Sequence, residues 1–63
     1  MAQRSWLVNA RIKANLTQQE VADIAQISRA YYAQVESGSR KPSPDVAKKI
    51  AETLKFEWTY FFV

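Results

Sequence analysis

The sequence predicts an all-α fold, a compact bundle of five short helices, and three observations carry that reading. With 63 residues the chain is one domain at most, and at that size it buries only about 60% of the surface its unfolded form exposes. Its residues are 48% apolar and 13% aromatic, with one glycine and two prolines, too apolar for a disordered chain and too poor in turn formers for an all-β one. Its few punctuating residues (helix caps, left-handed positions and a helix-opening proline) recur at the spacing of short helices. No repeat, linker or low-complexity tract divides the chain, so residues 1–63 read as a single domain.

The first helix is read from Leu7, Ala10, Arg11 and Ala14, which recur at helical spacing. Asn15 ends it near Ala14, because asparagine tolerates the left-handed conformation found just past many helices. Thr17-Gln18-Gln19-Glu20 is a capping box: the Thr17 hydroxyl can accept from the Glu20 amide while the Glu20 carboxylate reaches back to the Thr17 amide. It opens a second helix with Val21, Ala22 and Ala25 on one stripe. Gln26-Ile27-Ser28 interrupts as a turn of about three residues, with Ser28 placed to cap the next helix.

In the third helix Tyr32, Val35 and Glu36 share one face, while Arg29, Ala30, Ala33 and Gln34 share the opposite one, which is too polar for core. Gly38 suits the left-handed position that ends it, and Ser39-Arg40-Lys41-Pro42 follows as a basic loop. Ser43-Pro44-Asp45 opens the fourth helix with a cap, a proline at the first helical position and an acid on the positive helix end. Val46, Ala47, Ile50, Ala51 and Leu54 form its buried stripe. The segment from Glu57 to Phe62 is expected to make a fifth short helix carrying Trp58, Phe61 and Phe62.

Two short capped helices joined by a tight turn, with small Ala22 where they approach, have the layout of a helix-turn-helix over about 17–36, the third helix being the recognition element. The run Leu16-Thr17-Gln18-Gln19-Glu20-Val21-Ala22, with Ile27-Ser28, Tyr31-Tyr32, Val35-Glu36, Gly38 and Pro42 at their spacing, resembles the phage repressor and Cro helix-turn-helix family, also called Xre-like. The resemblance runs from about Leu7 to Phe62. It implies a lambda-repressor-like DNA-binding domain that reads the major groove of double-stranded DNA. The implied function is that of a sequence-specific transcriptional regulator, a repressor of phage, plasmid or mobile-element type in a bacterium.

On the positions that match the family's motif, the resemblance places base reading on Arg29, Ala30, Ala33 and Gln34. Their chemistry agrees: arginine pairs bidentately with guanine, worth roughly 1–3 kcal/mol of discrimination, and glutamine pairs with adenine. The alanines let the helix approach closely and can meet a thymine methyl, their plainer role being helix propensity. Phosphate contacts fall on Gln18 or Gln19, just past a cap where free amides suit an anion, on Ser28 and Tyr31, and on Arg40 and Lys41 of the basic loop. The alternatives are a solvated surface for Gln18 and the loop, and half burial against helix 2 for Tyr31. The family also pairs an arginine with a glutamate at Arg11 and Glu36, an interior bridge whose breaking would cost about 3–5 kcal/mol. Two departures stand out. Gln26 occupies a turn position where the family usually has glycine, which implies backbone strain or a differently shaped turn. The chain also ends at Val63, so no built-in sensor domain is expected.

Nine Lys+Arg against six Asp+Glu leave a net charge of +3, so placement decides what that charge does. Arg29, Arg40 and Lys41 are the first candidates for DNA, and Arg4 and Lys13 the next, in residues 1–13, which hold three cations and no acid. Lys48, Lys49 and Lys55 belong to the fourth helix and its end. Cysteine and histidine are both absent, which removes disulfides, thiolate nucleophiles, imidazole bases and zinc sites built on nitrogen or sulfur. The carboxylates are scattered rather than paired, so no enzyme, metal, cofactor or small-molecule ligand is expected. No apolar stretch reaches signal-peptide or membrane-span length, which leaves no membrane partner and points to the cytoplasm.

Phe56, Trp58, Tyr60, Phe61 and Phe62 put five aromatics into seven residues. Some should close the core and the others form an apolar patch of the kind that marks interfaces. In the family the carboxy-terminal helix often pairs two subunits, which implies a homodimer through Trp58, Tyr60, Phe61 and Phe62. Two recognition helices would then stand ~34 Å apart on a palindromic operator. The alternative is a protein-interaction module, an antitoxin or adaptor binding a partner through the same segment. A core this small rarely supplies more than ~3–5 kcal/mol, so caps or a second subunit should contribute.

Overall fold

The computed structural model describes residues 3–62; Met1, Ala2 and Val63, the ends of the expected 1–63 domain, lie outside the described residues. Four α-helices follow in order, α1 (Ser5–Lys13), α2 (Gln18–Ala25), α3 (Arg29–Ser37) and α4 (Pro44–Leu54), and a 3-10 helix (Trp58–Phe62) closes the chain. Among the described residues there is no strand. The all-α expectation holds, but the fifth helix is a 3-10 helix and not an α-helix. Five residues are too few to stabilise an α-helical nucleus, and the tighter 3-10 form is the one that short terminal pieces adopt.

Three helices begin, and all four end, as their local chemistry dictates. Thr17, Ser28 and Ser43 accept from the amides of Glu20, Tyr31 and Val46, and Pro44 occupies the first turn of α4. All four helices stop at a left-handed residue: Asn15, Gln26, Gly38 and Lys55, with φ of 63°, 61°, 87° and 65°. The next amide then bonds back to the carbonyl five residues earlier, Leu16 to Arg11 at 3.2 Å, Ile27 to Ala22 at 2.9 Å, Ser39 to Gln34 at 3.1 Å and Phe56 to Ala51 at 3.0 Å. Gln26 therefore bears the strained backbone that its substitution for glycine implied, on the order of 1 kcal/mol or more. In compensation, Leu16, Ile27 and Phe56 pack against the core directly after the left-handed residue.

The core is a cluster of Leu7, Val21, Ala22, Ala25, Tyr32, Val35, Ala47, Ile50, Leu54 and Phe61, drawn from every element. α2 packs on α3 and α4, and α4 on the 3-10 helix. Ala22 is fully buried, and its lack of bulk lets α2 and α3 meet. Trp6 organises the other end: its ring lies 5.2 Å from Phe56, 5.4 Å from Tyr60 and 5.2 Å from Phe61, edge to face in each case. That aromatic cluster fastens the tail to α1.

Candidate nucleic-acid interface

The inward stripe of α3, Tyr32, Val35 and Glu36, is buried, and this turns the opposite stripe outward: Arg29, Ala30 and Gln34 are exposed and Ala33 is half-buried. The Ser28 hydroxyl accepts from the Tyr31 amide at 3.0 Å and so fixes the start of this face. Arg29 has no carboxylate partner, since Arg11–Glu36 is the one ion pair among the described residues. Its charge and its five donors are open to a ligand.

The first turn of α2 is held by both halves of the capping box, Glu20 N–H to Thr17 Oγ1 at 3.1 Å and Thr17 N–H to Glu20 Oε1 at 2.8 Å. Gln18 is half-buried and its Nε2 donates to Glu36 Oε1 at 2.9 Å, while Gln19 is exposed and donates to Asp23 Oδ1 at 2.8 Å. Neither glutamine is a free surface group, and the bond from Gln18 ties the start of α2 to the end of α3.

Glu36 is the hub of that tie. Arg11 Nε donates to Glu36 Oε2 at 2.6 Å and Nη2 to Oε1 at 3.5 Å, and Nη1 donates to the Leu16 carbonyl at 3.0 Å. The glutamate side chain is 3% exposed and the arginine 17%. Burial by itself pushes the Glu36 carboxyl up, yet the hydrogen bonds from Arg11 and Gln18 outweigh it and hold the group below the usual carboxylate range. The same pairing raises Arg11 further above its ordinary value, against the effect of its own burial. The buried Tyr32 hydroxyl makes no hydrogen bond among the described residues, and burial first, then the nearby Glu36 charge, push its pKa well up.

Beyond α3 the basic loop is anchored from several sides. Arg40 lies over the Tyr31 ring, 4.7 Å from its centroid, and the Tyr31 hydroxyl accepts from the Ser43 amide at 3.4 Å. Tyr31 is thus a half-buried strut with an exposed cation stacked upon it. Lys41 is exposed, with Nζ 5.7 Å from the Phe62 centroid, and Pro42 is fully buried.

Two expectations need correction. Arg4, one of the lesser candidates for DNA, is half-buried and spends its guanidinium on the carbonyls of Val35 and Arg40, because the last carbonyls of a helix lack intrahelical donors. Lys13, the other lesser candidate, is exposed and lines a shallow depression with Lys55 and Phe56. Phe61, named as an interface residue, is only 5% exposed and belongs to the core; Tyr60 and Phe62, 56% and 40% exposed, form the outer surface beside half-buried Trp58. Sequence reasoning also missed Trp6, which stands one residue before the stripe of Leu7, Ala10, Arg11 and Ala14 and gave no sign that three tail rings would converge on it.

Comparison with known proteins agrees with this arrangement. A family model described as helix-turn-helix matches residues 7–61. An uncharacterized HTH-type transcriptional regulator of Bacillus subtilis (strain 168), YqaF, is 56% identical over 59 residues, which is 94% of this chain and 78% of that protein. Two uncharacterized HTH-type transcriptional regulators from Mycobacterium tuberculosis strains are 34% identical over 59 residues, and there the chain spans 42% of the relative's length.

Proposed function

Because the chain belongs to the helix-turn-helix family, we propose that it is a DNA-binding transcriptional repressor, of phage, plasmid or mobile-element type, that works in the bacterial cytoplasm. In this reading α3 enters the major groove with Arg29 on a guanine, Gln34 on an adenine, and Ala30 and Ala33 allowing close approach. The first turn of α2, with Gln18 and Gln19, and the segment around Ser28 and Tyr31 face one stretch of phosphates, and Arg40 and Lys41 another. The observation that carries the reading is the outward stripe of α3, whose exposed Arg29 has no carboxylate partner among the described residues.

The molecule is 24 Å along its longest axis, shorter than the ~34 Å that separates half-sites one DNA turn apart. A homodimer on a palindromic operator supplies the second recognition helix, and exposed Tyr60 and Phe62 are the surface offered for pairing. The same exposure favours a second reading, an antitoxin or adaptor that holds a protein partner through this segment.

Selection from a random pool of DNA duplexes, repeated with Arg29→Ala, tests the proposal. Wild-type protein is expected to enrich one sequence, and the variant to lose preference at a guanine at a cost of roughly 1–3 kcal/mol while keeping most of its backbone affinity. Enrichment of nothing, together with capture of a protein partner through Tyr60 and Phe62, would favour the second reading. Unchanged selectivity removes Arg29 from the base readers.

A further inference from the structure

Arg4 stands just before α1, where a serine, threonine or aspartate would cap the helix, yet its side chain makes no cap bond there. It reaches across the chain instead. Its Nη1 donates to the carbonyl of Val35, near the end of α3, at 2.6 Å and to the carbonyl of Arg40, in the basic loop, at 3.1 Å. The Arg4 amide donates to the Glu36 carbonyl at 2.8 Å, and the guanidinium carbon lies 5.7 Å from the centroid of the Phe61 ring. One half-buried cation therefore bridges the end of the outward-facing helix, the loop that follows it and the aromatic tail.

The geometry points to Arg4 as a positioning residue for the phosphate-contacting loop: by holding the Arg40 carbonyl against the end of α3, it sets where the Arg40 and Lys41 side chains stand relative to the base-reading face. This rests on the reading of the loop as a contact to the DNA backbone. The entry to the loop is held independently, since the amides of Ser39 and Arg40 donate to the Gln34 carbonyl at 3.1 Å and 3.2 Å, and its exit is held by buried Pro42. Between those anchors lies the peptide joining Arg40 to Lys41, and among the described residues Arg4 is the donor to its carbonyl. The two N–H bonds of one guanidinium nitrogen diverge at a fixed angle in a rigid plane, so they hold two carbonyls at a set separation. A lysine ammonium on its rotating stem does not reproduce that restraint.

The test is binding of the duplex enriched from the random pool, followed by fluorescence anisotropy across a salt series, with far-UV circular dichroism to confirm that each variant is folded. Removing both loop cations, Arg40→Ala with Lys41→Ala, is expected to reduce the slope of log K against log salt by about 1.8, from two phosphates at about 0.9 each, with base preference kept. If that slope does not move, the loop is no phosphate contact, and the positioning role falls with that reading. If it does move, Arg4→Ala is expected to lose about 0.9 or more of slope when the loop cations are present and nothing further when they are absent. An unchanged slope for Arg4→Ala in the intact loop overturns the inference. So does an equal further loss without the loop cations, which would make Arg4 itself a phosphate contact. Arg4→Lys keeps the charge and decides the matter even where Arg4→Ala does not fold: a reduced slope supports positioning, and the wild-type slope overturns it.

Discussion

Replacing Arg11 with alanine removes three hydrogen bonds at once, Nε to Glu36 Oε2 at 2.6 Å, Nη2 to Glu36 Oε1 at 3.5 Å and Nη1 to the Leu16 carbonyl at 3.0 Å. Glu36, 3% exposed, keeps the single donor Gln18 Nε2. Leaving a buried carboxylate without its cation costs about 3–5 kcal/mol, which matches the ~3–5 kcal/mol that a core of this size supplies. The variant is expected to be largely unfolded at room temperature in plain buffer. Urea melts of both proteins in the same stabilising osmolyte, followed by circular dichroism, keep the variant's transition measurable. The pH dependence provides a second, independent check. A carboxyl held below its ordinary value of 4.5 in the folded protein contributes stability above its unfolded pKa, and that contribution is lost as pH falls through the folded one. Without Arg11 the effect of burial prevails, the folded value moves up, and acidification relieves the penalty. The stability gap between the two proteins is therefore expected to narrow from pH 7 to about pH 3. A shift below ~1 kcal/mol at neutral pH, the size of an exposed pair, refutes the reasoning, as does a gap that widens on acidification.

The other expectations are smaller or depend on concentration. Gln26→Gly removes the left-handed penalty at φ 61° but frees the unfolded chain, and a net gain of about 0.5 kcal/mol is expected in urea melts. A loss of about 1 kcal/mol would show that the Lys49 Nζ to Gln26 Oε1 bond, 3.2 Å, outweighs the backbone term. Thr17→Ala breaks the hydroxyl half of the capping box and is expected to cost about 1 kcal/mol; an unchanged Tm would contradict this. Tyr60→Ser with Phe62→Ser is expected to leave the fold intact and shift sedimentation from dimer to monomer, both free and on DNA. Wild-type protein that sediments only as monomer at tens of micromolar, free and on DNA, removes the homodimer.

Local chemistry was legible wherever one segment decides its own conformation. The capping box of Thr17 and Glu20, the caps Ser28 and Ser43, the stop at Gly38 and the buried stripe of α4 all follow from side chains acting on backbone within a turn of themselves. Spacing also separated the two faces of α3, because a period of 3.6 makes one stripe inward once Tyr32, Val35 and Glu36 are there. The resemblance to the helix-turn-helix family added the pairing of Arg11 with Glu36 across 25 residues of sequence, which no local rule supplies.

What stayed hidden was long-range and depended on competition between partners. Arg4 looks like any surface cation until α3 ends beside it with unsatisfied carbonyls, and a half-buried guanidinium is stable there because carbonyls 31 and 36 residues away accept from it. The aromatic tail posed the same difficulty: spacing cannot choose which of Trp58, Tyr60, Phe61 and Phe62 goes inside, because the choice belongs to Trp6 and Phe56 on other elements. Their edge-to-face packing takes Phe61, and Tyr60 and Phe62 are left outward. The placement of charge follows from the same competition. A net charge of +3 is shared among cations that do different work: Arg11 neutralises a buried acid, Arg4 completes a helix end, and Arg29, Arg40 and Lys41 remain exposed around α3. The exposed cations beside the outward face of α3 are the ones that the interior has not claimed.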